Sequence, residues 1–259
     1  TLLTLIVLIK YFLCDMFNLN PSMDIKTLRH KGRGAVIIDD FYTNPDEIRK
    51  FAMSQPLKDD ELLCSGFPGW RVFKKDERVK DFLYDLFYNL ALDNDIWDRE
   101  HCVDMAQFNC SWDSAGLMVN VLNDKSLIND PLGIVPHQDA YTGVKEPGLP
   151  DFQFGANIYL NTPEECAGGT AWYSFDGEIS IPKREISGIP VPDNADELSN
   201  REIFNHVKKH TLGPRWKLEH EFEMVYNRMV MYEADVLHGQ SVDLGMFTDY
   251  NRMNQVIFM

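Results

Sequence analysis

Short apolar runs separated by turn residues fill the chain from residue 116 onward, and they constrain its fold more than any other feature. These runs are rich in β-branched and aromatic residues and cover 116–122, 155–160, 170–175, 220–226, 229–232 and 255–258. Turn dipeptides stand between them, including Asn123-Asp124, Gly168-Gly169 and Asn227-Arg228. Several short strands with such turn signals are typical of an antiparallel sandwich or jelly roll.

The first third of the chain mixes strand and helix patterns. Residues 34–55 read GAVIIDDFYTNPDEIRKFAMSQ, in which a β-branched run leads into Pro45, Asp46 and Glu47. This order predicts a strand that enters a helix, because proline is favoured at the first helical position and acidic residues near the positive helix end. Apolar residues at helical spacing predict a second helix over 77–93. We therefore predict an α+β fold, a jelly roll whose supporting helices come mainly from the N-terminal third.

The domain organisation follows from the absence of any linker-like tract in the sequence. We predict a peripheral N-terminal segment, 1–33, and a single domain, 34–259, with an insertion at 176–215. The insertion is rich in proline, glycine and charge, and it contains a predicted helix over 200–210. Loops of this length in a compact domain are usually functional lids or disordered, and both interpretations stay open.

The chain is strongly acidic, with a formal net charge of −15. Such a charge repels phosphate backbones and anionic membrane surfaces, so we expect neither nucleic acid nor membrane as a partner. The apolar run at 2–9 is interrupted by Lys10, whereas a membrane span needs about 20 residues. It also lacks the flanking residues of a signal peptide, so we expect a structural segment there.

The cysteines are odd in number and contain no C-x-x-C pair; they are Cys14, Cys64, Cys102, Cys110 and Cys166. This pattern matches neither a disulfide framework nor a thiolate zinc site. We expect a reducing compartment and therefore a cytoplasmic location.

A candidate metal site begins at the H-x-D triplet of His137 and Asp139. In extended backbone, residues two apart project to the same face, so both side chains can reach one ion. His238 follows much later, at the end of the apolar segment VMYEADVLH, where another strand would deliver a third ligand. Two histidines and one carboxylate leave open positions suited to Fe(II) with a bidentate cosubstrate and O2. Zinc fits the same ligands.

The last apolar run, NRMNQVIFM at 251–259, carries a candidate anion-binding residue, Arg252. Strand alternation puts Arg252 and Asn254 on one face. A buried arginine requires a partner, and its planar fork fits a carboxylate through two hydrogen bonds. No acidic residue follows Asp249, so the partner is a ligand or a distant Asp or Glu.

These motifs together resemble a known family. The chain resembles the 2-oxoglutarate and Fe(II)-dependent dioxygenases, and within them the prolyl-4-hydroxylase-like branch. The resemblance lies in four features that follow one another in order: the H-x-D triplet, the segment ANIYLNTPEECAGGTAWY at 156–173, His238 and Arg252. The resemblance covers 119–259, and the segment VIIDDFYTNPDEIRKFA at 36–52 resembles the start of the same domain. The fold that it implies is a double-stranded β-helix, the cupin-like jelly roll.

Carried over by position, the resemblance implies that His137, Asp139 and His238 bind Fe(II) and that Arg252 binds the distal carboxylate of 2-oxoglutarate. It implies an oxygenase that uses O2 to hydroxylate a peptide side chain, an amino acid or a small metabolite. Halogenating members lack the carboxylate ligand, so Asp139 favours hydroxylation or desaturation. Many prolyl hydroxylases have lysine in place of Arg252, which indicates a different subfamily.

The resemblance does not identify a second hydrogen-bond donor to the cosubstrate. Strand placement makes Asn120, Tyr159 and Asn254 candidates. Trp172 lies on a predicted strand near the site, where it either packs in the core or contacts substrate. The other histidines are expected outside the site; they are His30, His101, His206, His210 and His220.

Two other functions stay open. One is a cupin-type metalloenzyme that does not use 2-oxoglutarate and in which Arg252 anchors the substrate itself. The other is a non-catalytic barrel that binds a metal or a ligand. Neither the identity of the substrate nor the oligomeric state is encoded in a readable pattern.

Overall fold

Two antiparallel β-sheets form the framework of the protein. The computed structural model describes residues 17–54, 69–75, 116–139, 154–181, 194, 197–211 and 213–258. In chain order the strands are β1 (Asp24–His30), β2 (Arg33–Asp39), β3 (Trp70–Lys75), β4 (Gly116–Leu122), β5 (Phe154–Tyr159), β6 (Gly169–Phe175), β7 (Trp216–Glu223), β8 (Met229–Glu233), β9 (His238–Ser241) and β10 (Arg252–Phe258). The larger sheet has the order β1-β2-β8-β5-β10-β4-β3, and the smaller has the order β7-β6-β9.

Three α-helices lie in the described part of the chain: α1 (Pro45–Met53), α2 (Asp124–Asn129) and α3 (Asn200–Thr211). The α1 helix begins with proline at its first turn and acidic residues beside it, as the sequence predicts. A capping box starts α2, because the side chain of Asn123 accepts from the amide of Ser126 while the Ser126 hydroxyl accepts from the amide of Asn123. Two further helical elements of the described residues are short 3-10 turns, at Pro131–Ile134 and Pro163–Glu165.

The larger sheet is buried on both faces. One face packs Val36, Val121 and Ile158 against Phe41 and the α1 residue Ile48, all within 2% exposure. The other face packs against the smaller sheet in a second apolar cluster. Side chains alternate between the faces of a strand, so neighbouring positions of β5 contribute to different clusters. The smaller sheet therefore covers the inner face of the larger one, as in a β-sandwich with helices outside it.

The second cluster is centred on aromatic side chains from both sheets. Trp172 of β6 is fully buried, and its ring lies edge-on to those of Phe222 and Tyr232, with centroids 5.2 and 6.3 Å away. Gly169 opens β6, and a Cβ there would collide with the carbonyl oxygen of Phe222. The Gly168-Gly169 turn is therefore needed for the close approach of β6 to β7.

The predicted α+β class with mostly antiparallel strands is confirmed. The predicted strand at 220–226 is shifted, since β7 spans Trp216–Glu223 and the chain turns at Asn227, which has a φ of 60°. The strands β1 and β3 were not predicted, and for β9 the sequence predicted only that a strand delivers His238, without its bounds. The helix predicted over 77–93 lies outside the described residues.

The predicted domain boundaries stay predictions. Strand β1, which precedes the predicted boundary at residue 33, is an edge strand of the larger sheet and pairs along its length with β2. Within the predicted insertion, the helix over 200–210 matches α3. None of the helices in the described ranges is long and apolar enough to cross a membrane.

Candidate metal centre

Backbone pairing brings the two predicted histidine ligands together. His137 lies just after the 3-10 turn at Pro131–Ile134, and His238 is the first residue of β9. Each donates its backbone N–H to the carbonyl of the other, with N···O distances of 2.8 and 2.8 Å. Directly paired residues of an antiparallel bridge project to the same face, and the ring centroids are 4.7 Å apart.

Asp139 lies beside the two histidines and comes from the same segment as His137. Its backbone N–H donates to the carbonyl of Ala234 at 2.9 Å, which holds the H-x-D segment against the turn before β9. Its carboxylate oxygens lie 3.6 Å from Nε2 of His137 and 3.2 Å from Nε2 of His238. The donor atoms of all three side chains lie within 4.8 Å of one another, and the described residues contain no second such group of three His, Cys, Asp or Glu.

Both imidazole rings are oriented for metal binding through the same nitrogen. Nδ1 of His137 is 3.1 Å from the carbonyl oxygen of Val135, and Nδ1 of His238 is 2.8 Å from that of Val236. A carbonyl oxygen only accepts, so each Nδ1 carries a hydrogen, and in the neutral ring Nε2 keeps its lone pair. Such a bond from the remote ring nitrogen to a carbonyl is typical of histidines that bind metals.

The electrostatics of the cluster favour a cation. Burial raises the pKa of the Asp139 carboxyl, but the charge and hydrogen bond of His238, with smaller effects of His137 and Arg71, lower it below its usual value. Burial lowers the pKa of His238, but the charge and hydrogen bond of Asp139 raise it overall. A divalent ion between them would replace the proton on His238 as the positive partner of the carboxylate.

The residue between the two ligands of the H-x-D triplet points away from the cluster and fixes its backbone. Gln138 is 5% exposed, and its Nε2 donates to the carbonyl oxygen of Asp235 at 2.5 Å. The carboxylate of Asp235 accepts in turn from Ser180 at 2.8 Å and from Arg33 at 2.7 Å. We call Gln138 and Asp235 the ligand clamp, because they join the segment of two predicted ligands to the turn that delivers His238.

Arg252 is buried without a carboxylate partner among the described residues. It is 1% exposed; Nη1 donates to Oδ1 of Asn254 at 2.6 Å and Nη2 to the carbonyl oxygen of Gly169 at 3.3 Å, while Nε has no partner. Burial lowers its pKa, and only the tyrosines Tyr159 and Tyr232 oppose that shift. The alternative of a structural ion pair with a distant Asp or Glu therefore finds no support in the described part of the protein.

The candidates for a second cosubstrate donor lie in one row across the larger sheet. Asn254 of β10 pairs directly with Asn120 of β4 on one side and with Tyr159 of β5 on the other. The hydroxyl of Tyr159 donates to Thr170 at 2.8 Å, so its hydrogen is already used. Asn120 is 5% exposed, and its Oδ1 has no partner.

Trp172 is both a core residue and a neighbour of the cluster. It pairs directly with His238 across β6 and β9, and its buried Nε1 has no hydrogen-bond partner. The described histidines other than His137 and His238 stay outside the cluster, as predicted. His101 lies outside the described residues.

Sequence reasoning missed Arg71, Gly155 and Tyr232. Arg71 of β3 pairs with Asn120 and so extends the polar row, but β3 itself was not recognised. A Cβ at Gly155 would lie 3.2 Å from Oδ2 of Asp139 and 3.4 Å from the ring of Tyr232, so both groups pack over this bare position. The signal for Gly155 was a glycine opening an apolar strand, which often marks a close approach.

The fold and the cluster thus define an α+β protein built on antiparallel sheets, with a candidate His-Asp-His metal centre. The chain belongs to the family of unknown function DUF6445, which it matches over residues 19–249. The match includes the three predicted metal ligands and ends before Arg252. No curated protein matches the chain.

Proposed function

We propose that the protein is an Fe(II) and 2-oxoglutarate-dependent oxygenase that hydroxylates a peptide side chain, an amino acid or another small metabolite. One observation carries the proposal. A His-Asp-His cluster whose Nε2 atoms face the Asp139 carboxylate lies in the same sandwich as Arg252, a buried cation with no carboxylate partner among the described residues. A ligand that offers one end to a metal and a carboxylate to a guanidinium satisfies both features at once.

The strand order supports a double-stranded β-helix for this fold. From β4 onward the chain visits the larger sheet, the bridge at His137 beside β9, then β5 in the larger sheet and β6 and β7 in the smaller one. It returns through β8 in the larger sheet, β9 in the smaller and β10 in the larger. Such alternation between two facing sheets is how a jelly roll winds its strands.

The donor set suits iron. Two imidazoles and one carboxylate on one side of an ion leave the other side open, which is the arrangement used by non-haem Fe(II) oxygenases. The side chains of Asp139 and His238 are 13% and 7% exposed, whereas that of His137 is 47% exposed, so solvent reaches the cluster from the His137 side. O2 and substrate would enter on that side.

When bound, Fe(II) and 2-oxoglutarate supply the oxidising chemistry, in which O2 converts the cosubstrate to succinate and CO2 while the substrate is hydroxylated. The residues of the chain bind and orient the reactants. His137, Asp139 and His238 would hold the metal, and Arg252 would receive the distal carboxylate through its guanidinium. The buried Trp172 helps to exclude water from the space between the sheets.

Anaerobic spectroscopy tests the proposal. Addition of Fe(II) and 2-oxoglutarate to the protein is expected to produce the weak visible charge-transfer band of the chelate, and admission of air is expected to release succinate. Asp139→Ala should lose both signals, whereas His210→Ala, a change on α3 away from the cluster, should keep them. Metal-loaded, folded protein without the band would refute the use of 2-oxoglutarate. A charge-transfer band without succinate release in air would instead support a non-catalytic barrel that binds the metal and 2-oxoglutarate.

A further inference from the structure

Tyr232 lies beside the candidate metal centre on an element that supplies none of the predicted ligands. It is on β8, is 2% exposed, and its ring centroid is 4.8 Å from that of His238. It pairs directly with Gly155 across β8 and β5, and the missing side chain at Gly155 lets the ring approach Oδ2 of Asp139. The phenol is therefore a neighbour of two predicted ligands.

A chain of buried hydrogen bonds joins Tyr232 to Arg252. Arg252 donates to Oδ1 of Asn254 at 2.6 Å, Asn254 donates through Nδ2 to Oδ1 of Asn157 at 2.6 Å, and Asn157 donates through Nδ2 to the phenol oxygen of Tyr232 at 3.1 Å. All of these side chains are within 9% exposure. This chain of hydrogen bonds crosses from β10 through β5 to β8.

The direction of these bonds is fixed by chemistry. A guanidinium can only donate, so the amide oxygen of Asn254 must face Arg252 and its nitrogen must face Asn157. Asn157 must then accept with its oxygen and present its nitrogen to Tyr232. An exchange of oxygen and nitrogen in either amide would bring two donors or two acceptors together. The phenol oxygen of Tyr232 is thus an acceptor within the protein, and its own hydrogen is available to another group.

We propose that Tyr232 is a binding residue that donates its phenol hydrogen to an oxygen of the cosubstrate held at the metal. This inference rests on the proposed function and supplies the second donor that the family resemblance left open. Two of the other three candidates are less suitable, because Tyr159 gives its hydrogen to Thr170 and the Asn254 amide already bonds through its oxygen and through one hydrogen of its nitrogen.

The same chain gives Arg252 and Tyr232 a shared role. The amides hold the guanidinium at one end and the phenol at the other in a fixed relation. A dicarboxylate that spans from the metal to Arg252 would meet one fixed donor at each end. The arrangement therefore selects for a ligand with oxygen atoms at both ends and a matching length.

Calorimetry on protein loaded with Co(II), with 2-oxoglutarate as the probe under argon, tests the inference. Tyr232→Phe is expected to weaken binding of 2-oxoglutarate by about 10-fold to 100-fold, as for the loss of a hydrogen bond to a charged group. Co(II) affinity itself should be nearly unchanged, because Tyr232 is not a predicted ligand. The matched control is Tyr42→Phe, which removes a buried hydroxyl that donates to Gln255 at 3.0 Å on the opposite face of the sheet. This control should leave 2-oxoglutarate affinity unchanged.

A double-mutant cycle tests the direction of donation in the hydrogen-bond chain from Arg252 to Tyr232. Asn157→Asp places a carboxylate, which only accepts, opposite the phenol, so Tyr232 would donate to residue 157 instead of to the cosubstrate. In that background, the further change Tyr232→Phe should cost no additional 2-oxoglutarate affinity. A further loss of affinity when Tyr232→Phe is added to Asn157→Asp, or no loss in Tyr232→Phe alone, would overturn the role of Tyr232 and leave the proposed function intact. Failure of the metal-loaded wild-type protein to bind 2-oxoglutarate would contradict both the role of Tyr232 and the proposed function.

Discussion

Removal of the Arg252 guanidinium should affect ligand binding far more than folding. Arg252→Met keeps an unbranched side chain and deletes the charge. In the free protein, the change removes two hydrogen bonds, to Asn254 and to Gly169. Hydrogen bonds from a charged donor contribute about 1.5–3 kcal/mol each. Burial of an ion without a counter-ion costs several kcal/mol, and the substitution removes that cost.

The two contributions nearly cancel, so we expect the free energy of unfolding of the ligand-free protein to change by no more than about 2 kcal/mol. For a chain of 259 residues, 1 kcal/mol corresponds to about 2–4 °C in Tm. In contrast, the loss of a buried guanidinium–carboxylate pair costs about 3–5 kcal/mol, which is a factor of about 10² to 10³ or more in Kd. Arg252→Met should therefore fold and fail to bind 2-oxoglutarate.

The assay compares thermal unfolding of wild-type and variant protein with and without Co(II) and 2-oxoglutarate. The control is Arg228→Met, since Arg228 has a carboxylate partner, Asp39, at 2.6 and 3.1 Å. That variant should lose stability and keep its ligand-induced rise in Tm. If Arg252→Met unfolds in the absence of ligand, or retains the ligand-induced rise, the guanidinium is structural and the reasoning fails.

Three further predictions concern the ligands, the clamp and an acid-sensitive contact. His137→Ala and His238→Ala should each abolish stoichiometric iron binding measured by elemental analysis, and full loading of both variants would remove these residues as ligands. Gln138→Leu breaks the ligand clamp and should weaken Co(II) binding by about 10-fold to 100-fold; an unchanged Co(II) affinity would contradict a positioning role. Burial would raise the pKa of Glu219, but hydrogen bonds, led by that of Lys31, lower it to about 2 from 4.5. The ionised Glu219 carboxylate therefore stabilises the fold fully above pH 4.5, and this stabilisation is lost as the pH falls toward 2. In acid-unfolding experiments, Glu219→Gln should lower the free energy of unfolding by about 3 kcal/mol at neutral pH and by little at pH 2. A cost that does not vary with pH would contradict the lowered pKa.

The sequence predicted the parts of the site that depend on strand periodicity. His137 and Asp139 share one side of their segment, and Arg252 and Asn254 share one face of β10, because side chains alternate along extended backbone. Two of the strands that were missed, β1 and β9, have no apolar alternation to reveal them. Residues of β1 are mostly exposed at a sheet edge, and β9 is short and polar.

The hydrogen-bond chain to Tyr232 was beyond sequence reasoning for a different reason. Asn157 and Tyr232 lie on strands far apart in sequence, and their contact depends on the register between β5 and β8. That register is set by how the whole sheet packs, and no local pattern encodes it. The sequence likewise did not show whether Arg252 has a carboxylate partner, since the absence of later acidic residues left a distant Asp or Glu open; the described residues contain none.

Anomalous diffraction at the iron absorption edge, from crystals grown anaerobically with Fe(II), tests the central claim most directly. We predict a single strong peak at bonding distance, about 2 Å, from Nε2 of His137, Nε2 of His238 and a carboxylate oxygen of Asp139. A map with no peak at these side chains, or with iron held by other residues, would contradict the metal centre and the oxygenase function built on it.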